Sequence, residues 1–362
     1  MAAMRDILDR LEVLVACDTR NPPRAMQSGD PVFEFLRNEL KGFDVSVNDH
    51  GDGSIGLLGV RGRPKTVFNF HLDTVPVTDG WTHNPFSLSV DNERAVGLGA
   101  CDIKGALASM LAAANASSGD LAILITTDEE AGVGVAVNAF LGTDHGFNNA
   151  IVAEPTRCKA VTAHRGITTA RVVFKGIAGH ASSDRVLADS ANHCAIRWAN
   201  RCLAKAESWG ELEQNGLKGV PFNIGRIDGG IKPNMIAERC EMRIGLRTLP
   251  GQNGRELVQG LLAEIPPDEL HESEITFNAP SLPATSGETG QAPSAWVQQL
   301  GLNAGPAVNF WSEAALFSAA GLHAMVLGSG DIAQAHTADE WVELSQLEEL
   351  AKTYSRLIEN AG

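Results

Sequence analysis

A histidine and an aspartate stand two residues apart at the end of an apolar run. The run is Phe68-Asn69-Phe70, and it leads directly into His71-Leu72-Asp73. Because side chains alternate along an extended strand, His71 and Asp73 are expected on one face, where the carboxylate could orient the imidazole of a metal ligand. A lone histidine at a strand end is more often a polar loop residue, so this pair needs support from elsewhere in the chain.

Acidic residues follow two further apolar runs at the point where each run ends. Asp128-Glu129-Glu130 comes after the run 121–127, and Glu154-Pro155 closes the run 150–153. The carboxyl ends of parallel strands meet at one edge of an open α/β sheet, which is where ligands bind. These strand ends, rich in imidazole and carboxylate groups, therefore predict a metal site at that edge.

A fourth segment, Gly97 to Gly105, joins a glycine-rich turn to the Ala-rich helical stretch 106–114. It fits a dinucleotide-binding loop poorly, because Asp102 replaces the third glycine of G-x-G-x-x-G and would repel a pyrophosphate. Two interpretations of Asp102 remain. It is either an N-cap of the helix that follows or a carboxylate that attracts a cation.

Composition indicates a folded protein with an acidic surface. The chain has 362 residues, 44% of them hydrophobic, which is enough for two domains with proper cores. Lys and Arg number 29 against 44 Asp and Glu, and the net charge of −15 disfavours nucleic acid and anionic membranes as partners. The six cysteines include no C-x-x-C pair, which suits a reducing cytoplasm. Residues 1–20 lack a long apolar core, so neither a signal peptide nor a membrane anchor is expected.

The order of helical and strand patterns predicts an α/β protein with one domain inserted into another. Residues 1–165 and 280–362 carry the alternating helices and strands of a catalytic α/β domain. Residues 166–279 show the order β-α-β-β-α-β, which is typical of a ferredoxin-like fold. The stretch 279–293, rich in Gly, Pro, Ser and Thr, is the predicted hinge.

Taken together, these segments resemble the cocatalytic dizinc hydrolases, the family that includes acetylornithine deacetylase, succinyl-diaminopimelate desuccinylase, aminoacylase and carboxypeptidase G. The resemblance covers essentially the whole chain. It rests on His71-x-Asp73, Gly97-x-Gly99-x-x-Asp102-x-Lys104-Gly105, Asp128-Glu129-Glu130, Glu154-Pro155-Thr156 and Ala335-His336-x-x-Asp339-Glu340. It implies a dizinc aminopeptidase-like (phosphorylase/hydrolase-type) α/β/α catalytic domain and an inserted ferredoxin-like lid through which two chains form a homodimer.

The resemblance also implies which residues hold metal. His71 and Glu154 would hold one ion, Glu130 and His336 the other, and Asp102 would bridge the two. Zinc and cobalt both suit histidine and carboxylate ligands, so the metal itself stays open.

Three further residues are implied to act in the reaction. Glu129 is expected to be the general base that takes a proton from the attacking water, and Asp73 is expected to orient His71. His180, in Gly176-Ile177-Ala178-Gly179-His180-Ala181, matches a histidine motif that in the family reaches the active site of the other subunit.

Residues outside the metal site indicate the substrate. Ser312-Glu313-Ala314 resembles a segment of the family's deacetylase branch. The implied substrate is an N-acetyl-L-amino acid, with N-acetyl-L-citrulline ahead of N-acetyl-L-ornithine. Such a molecule keeps its α-carboxylate, which calls for an arginine. Arg247 is the candidate, with Asn234 assisting and Glu313 as a further substrate-binding residue, and a surface ion pair is the alternative for Arg247.

Several other functions are compatible with parts of the sequence. A desuccinylase, an aminoacylase or a dipeptidase would use the same metal ligands and stays open on the sequence alone. A non-hydrolytic α/β ligand-binding protein would need no base such as Glu129. The chain has no G-x-S-x-G, and His271-Glu272 lacks the second histidine of H-E-x-x-H because Ile275 stands there, which argues against serine and single-zinc hydrolases.

Overall fold

The computed structural model describes residues 4–132, 134–285 and 293–360. Within them the α-helices are α1 (Met4–Ala16), α2 (Pro31–Glu39), α3 (Gly105–Asn115), α4 (Val135–Leu141), α5 (Val186–Asp189), α6 (Ala191–Ser208), α7 (Gly254–Leu262), α8 (Pro293–Gln299), α9 (Ala314–Ala319) and α10 (Leu344–Glu359). None of these described helices combines the length and the apolar character needed to cross a lipid bilayer.

The strands of the described residues are short or of moderate length. They are β1 (Asp44–Asp49), β2 (Ile55–Arg61), β3 (Thr66–His71), β4 (Ser89–Val90), β5 (Arg94–Val96), β6 (Leu121–Thr126), β7 (Asn149–Val152), β8 (Ile167–Lys175), β9 (Gly179–His180), β10 (Glu213–Gln214), β11 (Leu217–Lys218), β12 (Phe222–Gly229), β13 (Met235–Ile236), β14 (Arg239–Leu246), β15 (Leu270–Ala279), β16 (His323–Val326) and β17 (Trp341–Glu343).

The described chain divides into two compact units. The first comprises the described residues of Met1–Thr162, Glu288–Pro306 and Ser312–Gly362. The second comprises those of Ala163–Gly287 and Ala307–Trp311. Of the predicted hinge, residues 286–292 lie outside the described part of the chain.

A six-stranded mixed sheet forms the centre of the first unit. Its strand order is β1-β2-β6-β3-β7-β16. β6, β3, β7 and β16 run parallel to one another, whereas β2 pairs antiparallel with both β1 and β6. β6 is buried along its whole length, as expected for an apolar strand that is covered on both faces. Because the four parallel strands share a direction, their carboxyl ends lie at one edge, and His71 is the last residue of β3.

Two helices pack next to the elements that carry the site. α3 is buried from Gly105 to Ala114, and a side chain at Gly105 would meet the carbonyl oxygen of Ala100 at 2.4 Å, so only glycine fits there. On α10, the ring of Tyr354 packs edge-on against Phe68 and Phe70 of β3, and its hydroxyl donates to the carbonyl oxygen of Leu327 at 3.1 Å. Tyr354 thus joins α10 to β3 and to the residue that follows β16.

The second unit is built around the four-stranded antiparallel sheet β12-β14-β8-β15. The elements β8, α6, β12, β14, α7 and β15 follow one another in the predicted β-α-β-β-α-β order, with the shorter elements between them. The indole N–H of Trp198 on α6 donates to the carbonyl oxygen of Leu261 on α7 at 2.8 Å, and Phe174 of β8 packs against the same ring. The predicted fold class, an α/β domain with a ferredoxin-like insertion, is confirmed.

Two local features differ from the sequence-based expectation. The helical periodicity of residues 187–208 predicts one continuous helix, but Ser190 is extended, with a ψ of 117°, and separates α5 from α6. The first unit also contains a small sheet in the order β17-β5-β4. Its strands are only two or three residues long, which is too short for a period-two pattern to be recognised.

Candidate metal centre

Three buried side chains meet at the carboxyl edge of the parallel strands. They are His71, Asp102 and Glu154, whose ligand atoms all lie within 4.8 Å of one another. His71 ends β3 and Glu154 follows the end of β7, as the sequence pattern predicts. Asp102 reaches the same place from the irregular turn Ala100–Lys104 that precedes α3.

The two carboxylate oxygens of Asp102 face two different histidines. Oδ1 lies 3.1 Å from Nε2 of His71, and Oδ2 lies 3.4 Å from Nε2 of His336. Nε2 of His336 is also 3.0 Å from Oε1 of Glu130, so Asp102, Glu130 and His336 form a second group of ligand atoms. α3 begins only at Gly105, and no side chain caps it, so Asp102 is not the helix N-cap that was the alternative.

The imidazole of His71 is oriented by the main chain. Its Nδ1 lies 3.1 Å from the carbonyl oxygen of Asp73, which can only accept, so Nδ1 carries a proton and the neutral ring would present the lone pair of Nε2 to the site. The carboxylate of Asp73 is 3.7 Å from Nδ1 and instead accepts the main-chain N–H of Glu130 at 2.8 Å. Asp73 thus contacts His71 through its carbonyl oxygen and the turn at Glu130 through its carboxylate, whereas the sequence pattern pointed to the carboxylate alone.

Both adjacent acids of the turn after β6 reach the site. Glu129 and Glu130 form a third group of ligand atoms with His71, again within 4.8 Å. Asp128 points the other way, where its carboxylate accepts the main-chain N–H groups of Val135 and Ala136 at the start of α4. That Glu129 is the general base and Glu130 a metal ligand stays a prediction.

The crowding of acids shifts several pKa values. Burial, and then the charge of Asp102, raises the pKa of Glu154 well above its usual range, and burial raises the pKa of Glu129 to about 8. Hydrogen bonds with Asp102 and Glu130 raise the pKa of His336 to about 10. Burial alone would lower the pKa of His71, but its hydrogen bond and charge interaction with Asp102 raise it well above the usual value. The raised pKa values of Glu129 and Glu154 reflect burial together with a repulsion among carboxylates that a bound cation would relieve.

The donor set fits two divalent metal ions. Oε1 of Glu154 is buried and has no hydrogen-bond partner among the described residues, as expected for an oxygen that coordinates a cation. Metal binding requires neutral histidines and ionised carboxylates, and in that form the four carboxylates of the three overlapping groups carry four negative charges, which two divalent ions would balance. Nitrogen and oxygen ligands of this kind are those that zinc and cobalt take in proteins. The donors are His71, Asp102, Glu129, Glu130, Glu154 and His336.

Two residues of the His336 segment have structural roles that the sequence did not reveal. Asp339 accepts N–H bonds from Thr82 and His83, at 2.9 and 3.2 Å. Glu340 is buried and accepts three main-chain N–H bonds from the loop that carries Asp102. The only signal in the sequence was the position of Glu340, directly before the strand Trp341–Glu343. An acid at such a position is ordinarily expected to be exposed to solvent.

The predicted substrate-binding residues lie in different parts of the chain. Arg247, Asn234 and also His180 belong to the second unit. Glu313 belongs to the first unit, where it is only 1% exposed and its Oε2 accepts a hydrogen bond from the hydroxyl of Thr126 at 3.2 Å. Burial raises the pKa of Glu313 well above its usual range. Contact between Glu313 and a substrate would require this side chain to be uncovered.

The fold and the candidate metal site are those of a metal-dependent hydrolase with a mixed α/β catalytic domain. The chain belongs to Peptidase family M20/M25/M40, whose sequence profile matches residues 67–360. The predicted family is thereby confirmed.

Relatives of known function are similar over most of this chain. It is 48% identical over 359 residues to the N-acetyl-L-citrulline deacetylase of Xanthomonas campestris pv. campestris, and the aligned residues cover 97% of both chains. It is 29% identical over 336 residues to an acetylornithine deacetylase of Yersinia pseudotuberculosis, with 87% of this chain and 82% of the relative covered.

Solved structures share the fold at low sequence identity. The aminopeptidase PepT of Bacillus cereus superposes with a TM-score of 0.75 at 19% identity, covering 99% of each chain. A Bacillus subtilis protein described as a dinuclear metal-binding peptidase of the M20 family superposes with a TM-score of 0.65 at 15% identity, covering 98% of each chain. At these identities the likeness establishes the fold alone.

Proposed function

We propose that the protein hydrolyses the N-acetyl amide of N-acetyl-L-citrulline and releases L-citrulline and acetate in arginine biosynthesis. The observation that carries the proposal is the 48% identity, over 97% of both chains, with the Xanthomonas N-acetyl-L-citrulline deacetylase. Deacetylation of N-acetyl-L-ornithine is the second candidate, because the 29% identical Yersinia relative bears that name. Desuccinylase, aminoacylase and dipeptidase activities rank below these two.

Two divalent ions, zinc or cobalt, would occupy the centre. His71 and Glu154 would hold one ion, Glu130 and His336 the other, and Asp102 both. The bridging role is supported by the two oxygens of Asp102, which face one histidine each at 3.1 and 3.4 Å. When bound, the ions would supply Lewis-acid polarisation of the amide carbonyl and would lower the pKa of the attacking water.

Glu129 would move the protons of the reaction. It belongs to the same group of ligand atoms as His71 and Glu130, so its carboxylate is within hydrogen-bond reach of a water held at the site. It would take one proton from that water as the water oxygen attacks the acetyl carbon. It would then return the proton to the amide nitrogen, which leaves as the amine while acetate is released.

Arg247 would bind the α-carboxylate of the substrate. Its side chain is half-buried, and no hydrogen bond or ion pair of its guanidinium occurs among the described residues. Burial lowers the pKa of Arg247, as expected for a cation that lacks a counter-charge. Such a group gains from a bidentate carboxylate ligand, which supports substrate binding over the surface ion pair. Asn234, in an exposed turn, would assist it.

His180 would donate a hydrogen bond to the oxyanion that forms on the acetyl carbonyl. Its Nδ1 accepts the main-chain N–H of Ser182 at 3.2 Å, so the neutral ring carries its proton on Nε2. Nε2 is therefore the nitrogen that would act as the donor.

We propose that the protein is a homodimer that assembles through the second unit. On α6, Ile196 and Leu203 are 57% and 47% exposed, and their spacing of seven residues puts them on one helix face. β12 is an edge strand of its sheet, and Ile227 on this strand is 57% exposed. An apolar helix face beside an open strand edge supports self-association.

The six cysteines are free thiols, which supports a cytoplasmic location.

The proposed activity is tested with a substrate panel at one pH and one metal loading. We expect kcat/KM for N-acetyl-L-citrulline to exceed that for N-acetyl-L-ornithine, N-succinyl-diaminopimelate and dipeptides. A tenfold preference for N-acetyl-L-ornithine, about 1.4 kcal/mol, would make the second candidate the better one. Dialysis against a chelator should abolish activity, and zinc or cobalt should restore it. Full activity of the metal-free protein would contradict the proposed centre.

A further inference from the structure

The carboxylate of Glu340 fastens the loop that carries Asp102. Glu340 is 2% exposed and accepts three main-chain N–H bonds of 2.9 Å each. The N–H of Gly99 donates to Oε2, and those of Cys101 and Asp102 donate to Oε1. Hydrogen bonds to an ionised carboxylate are stronger than those between neutral groups. One side chain thus anchors three main-chain N–H groups of this loop.

The loop needs this acceptor because its own backbone does not satisfy these N–H groups. Asp102 has φ −122° and ψ 85°, which interrupts the helical turn before α3 begins at Gly105. The N–H groups of Ala100 and Lys104 find carbonyl acceptors within the turn. Those of Gly99, Cys101 and Asp102 go to Glu340, which accepts where a regular helix would supply carbonyl oxygens.

Glu340 also lies on the segment that supplies His336. His336 and Asp339 have φ angles of 60° and 54°, a left-handed conformation that non-glycine residues adopt only when their surroundings hold them. Asp339 is held by Thr82 and His83, and Glu340 by the Asp102 loop. The short segment 336–340 therefore supplies His336 itself and, through Glu340, also holds the main chain at Asp102.

We propose that Glu340 is a positioning residue of the metal centre, which fixes the main chain at Asp102 so that this carboxylate faces His71 and His336 at once. The inference rests on the proposed role of Asp102 as bridging ligand. A carboxylate that serves two cations tolerates little displacement, because a shift toward one ion lengthens its contact with the other. Loss of the Glu340 bonds should therefore weaken metal binding even in a correctly folded protein.

The test is the zinc affinity of Glu340→Gln, measured by competition with a chelator. The amide oxygen can still accept the N–H groups of Cys101 and Asp102, but the NH₂ group stands where Gly99 needs an acceptor. We expect zinc to bind about 10- to 100-fold more weakly, the usual effect of removing a partner that orients a metal ligand. The absorption spectrum of the cobalt-loaded variant should differ from that of the wild type.

Two control variants separate this effect from general destabilisation and from failure of the metal site itself. Asn253→Ala removes the side chain that caps α7 in the second unit, and it should lower thermal stability without changing zinc affinity. Asp102→Ala should lose at least one ion. If Asp102→Ala keeps both ions, the proposed metal centre is wrong.

If Asp102→Ala loses metal while Glu340→Gln binds zinc with wild-type affinity and shows an unchanged cobalt spectrum, only the positioning role is overturned. Should Glu340→Gln fail to fold, Glu340→Asp replaces it in the same measurements. That variant keeps the charge but is one methylene shorter, so the same loss of zinc affinity is expected and wild-type affinity would overturn the proposal.

Discussion

The carboxylate of Asp73 accepts the main-chain N–H of Glu130, with an O···N distance of 2.8 Å. This bond joins the end of β3 to the turn after β6, two neighbouring parallel strands. Asp73 is fully buried, and burial raises its pKa to about 7. His71 and Glu130 share one group of ligand atoms, and their relative position thus depends on the buried carboxylate of Asp73.

Replacing Asp73 should reveal this positioning role. Asp73→Asn keeps an oxygen that can accept the N–H of Glu130, whereas Asp73→Ala removes the acceptor altogether. We expect kcat/KM to fall about 10- to 100-fold in the alanine variant and less in the asparagine variant. The measurements are kcat/KM and the metal content of both variants. Equal losses in the two variants would show that the charge of Asp73 matters and its bond to Glu130 does not.

Glu129 and Glu130 should separate into base and ligand when each is replaced by glutamine. Glu129→Gln should keep about two metal ions per chain and lose at least about 10²-fold in kcat, since general-base assistance contributes 10²- to 10⁴-fold. Glu130→Gln should lose metal. Metal content and kcat are measured on the same preparations, and a Glu129 variant that loses metal but keeps its rate would reverse the two roles.

His180 should matter for the transition state and should act between subunits. His180→Ala should lower kcat by a factor that corresponds to about 3 kcal/mol, the usual cost of removing one oxyanion donor. Mixing the inactive His180→Ala and Glu129→Gln proteins should restore part of the activity through hybrid dimers. A purely structural histidine predicts a small effect of His180→Ala. Absence of restored activity despite proven subunit exchange would argue against a shared site.

The stability of the second unit should depend on pH through His164. This residue is buried, and burial lowers its pKa to about 4, although a hydrogen bond with the carbonyl oxygen of Arg165 opposes the shift. Between the unfolded value of about 6.5 and the folded value the unfolded chain binds the extra proton. The contribution of His164 is therefore fully present above pH 6.5 and is lost as the pH falls toward 4.

The slope of the unfolding free energy against pH measures this effect. His164 should contribute up to about 1.4 kcal/mol per pH unit within that window. Urea unfolding of the wild type and of His164→Gln at several pH values should show a flatter dependence in the variant. Parallel curves would mean that His164 does not become protonated on unfolding.

The amino-acid sequence was sufficient to locate the elements that present the ligands. An apolar strand followed directly by polar groups is a local pattern, and it located His71, the turn at Glu129 and Glu130, and Glu154 at one sheet edge. The period of the second unit likewise predicted its β-α-β-β-α-β order. The roles of His336 and Asp102 came from resemblance to a family, since neither residue ends a strand of the parallel sheet.

The tertiary structure decided how those side chains are held. The bonds from Glu340 to the Asp102 loop span more than two hundred residues of sequence, and Glu313 becomes buried against Thr126 only when β6 and the segment before α9 come together. Such contacts leave no period and no composition bias, because hydrogen bonds between distant segments depend on where the whole chain brings its backbone. Local patterns report which face of a strand or helix is apolar, whereas the partners of a buried carboxylate are fixed only by the folded arrangement around it.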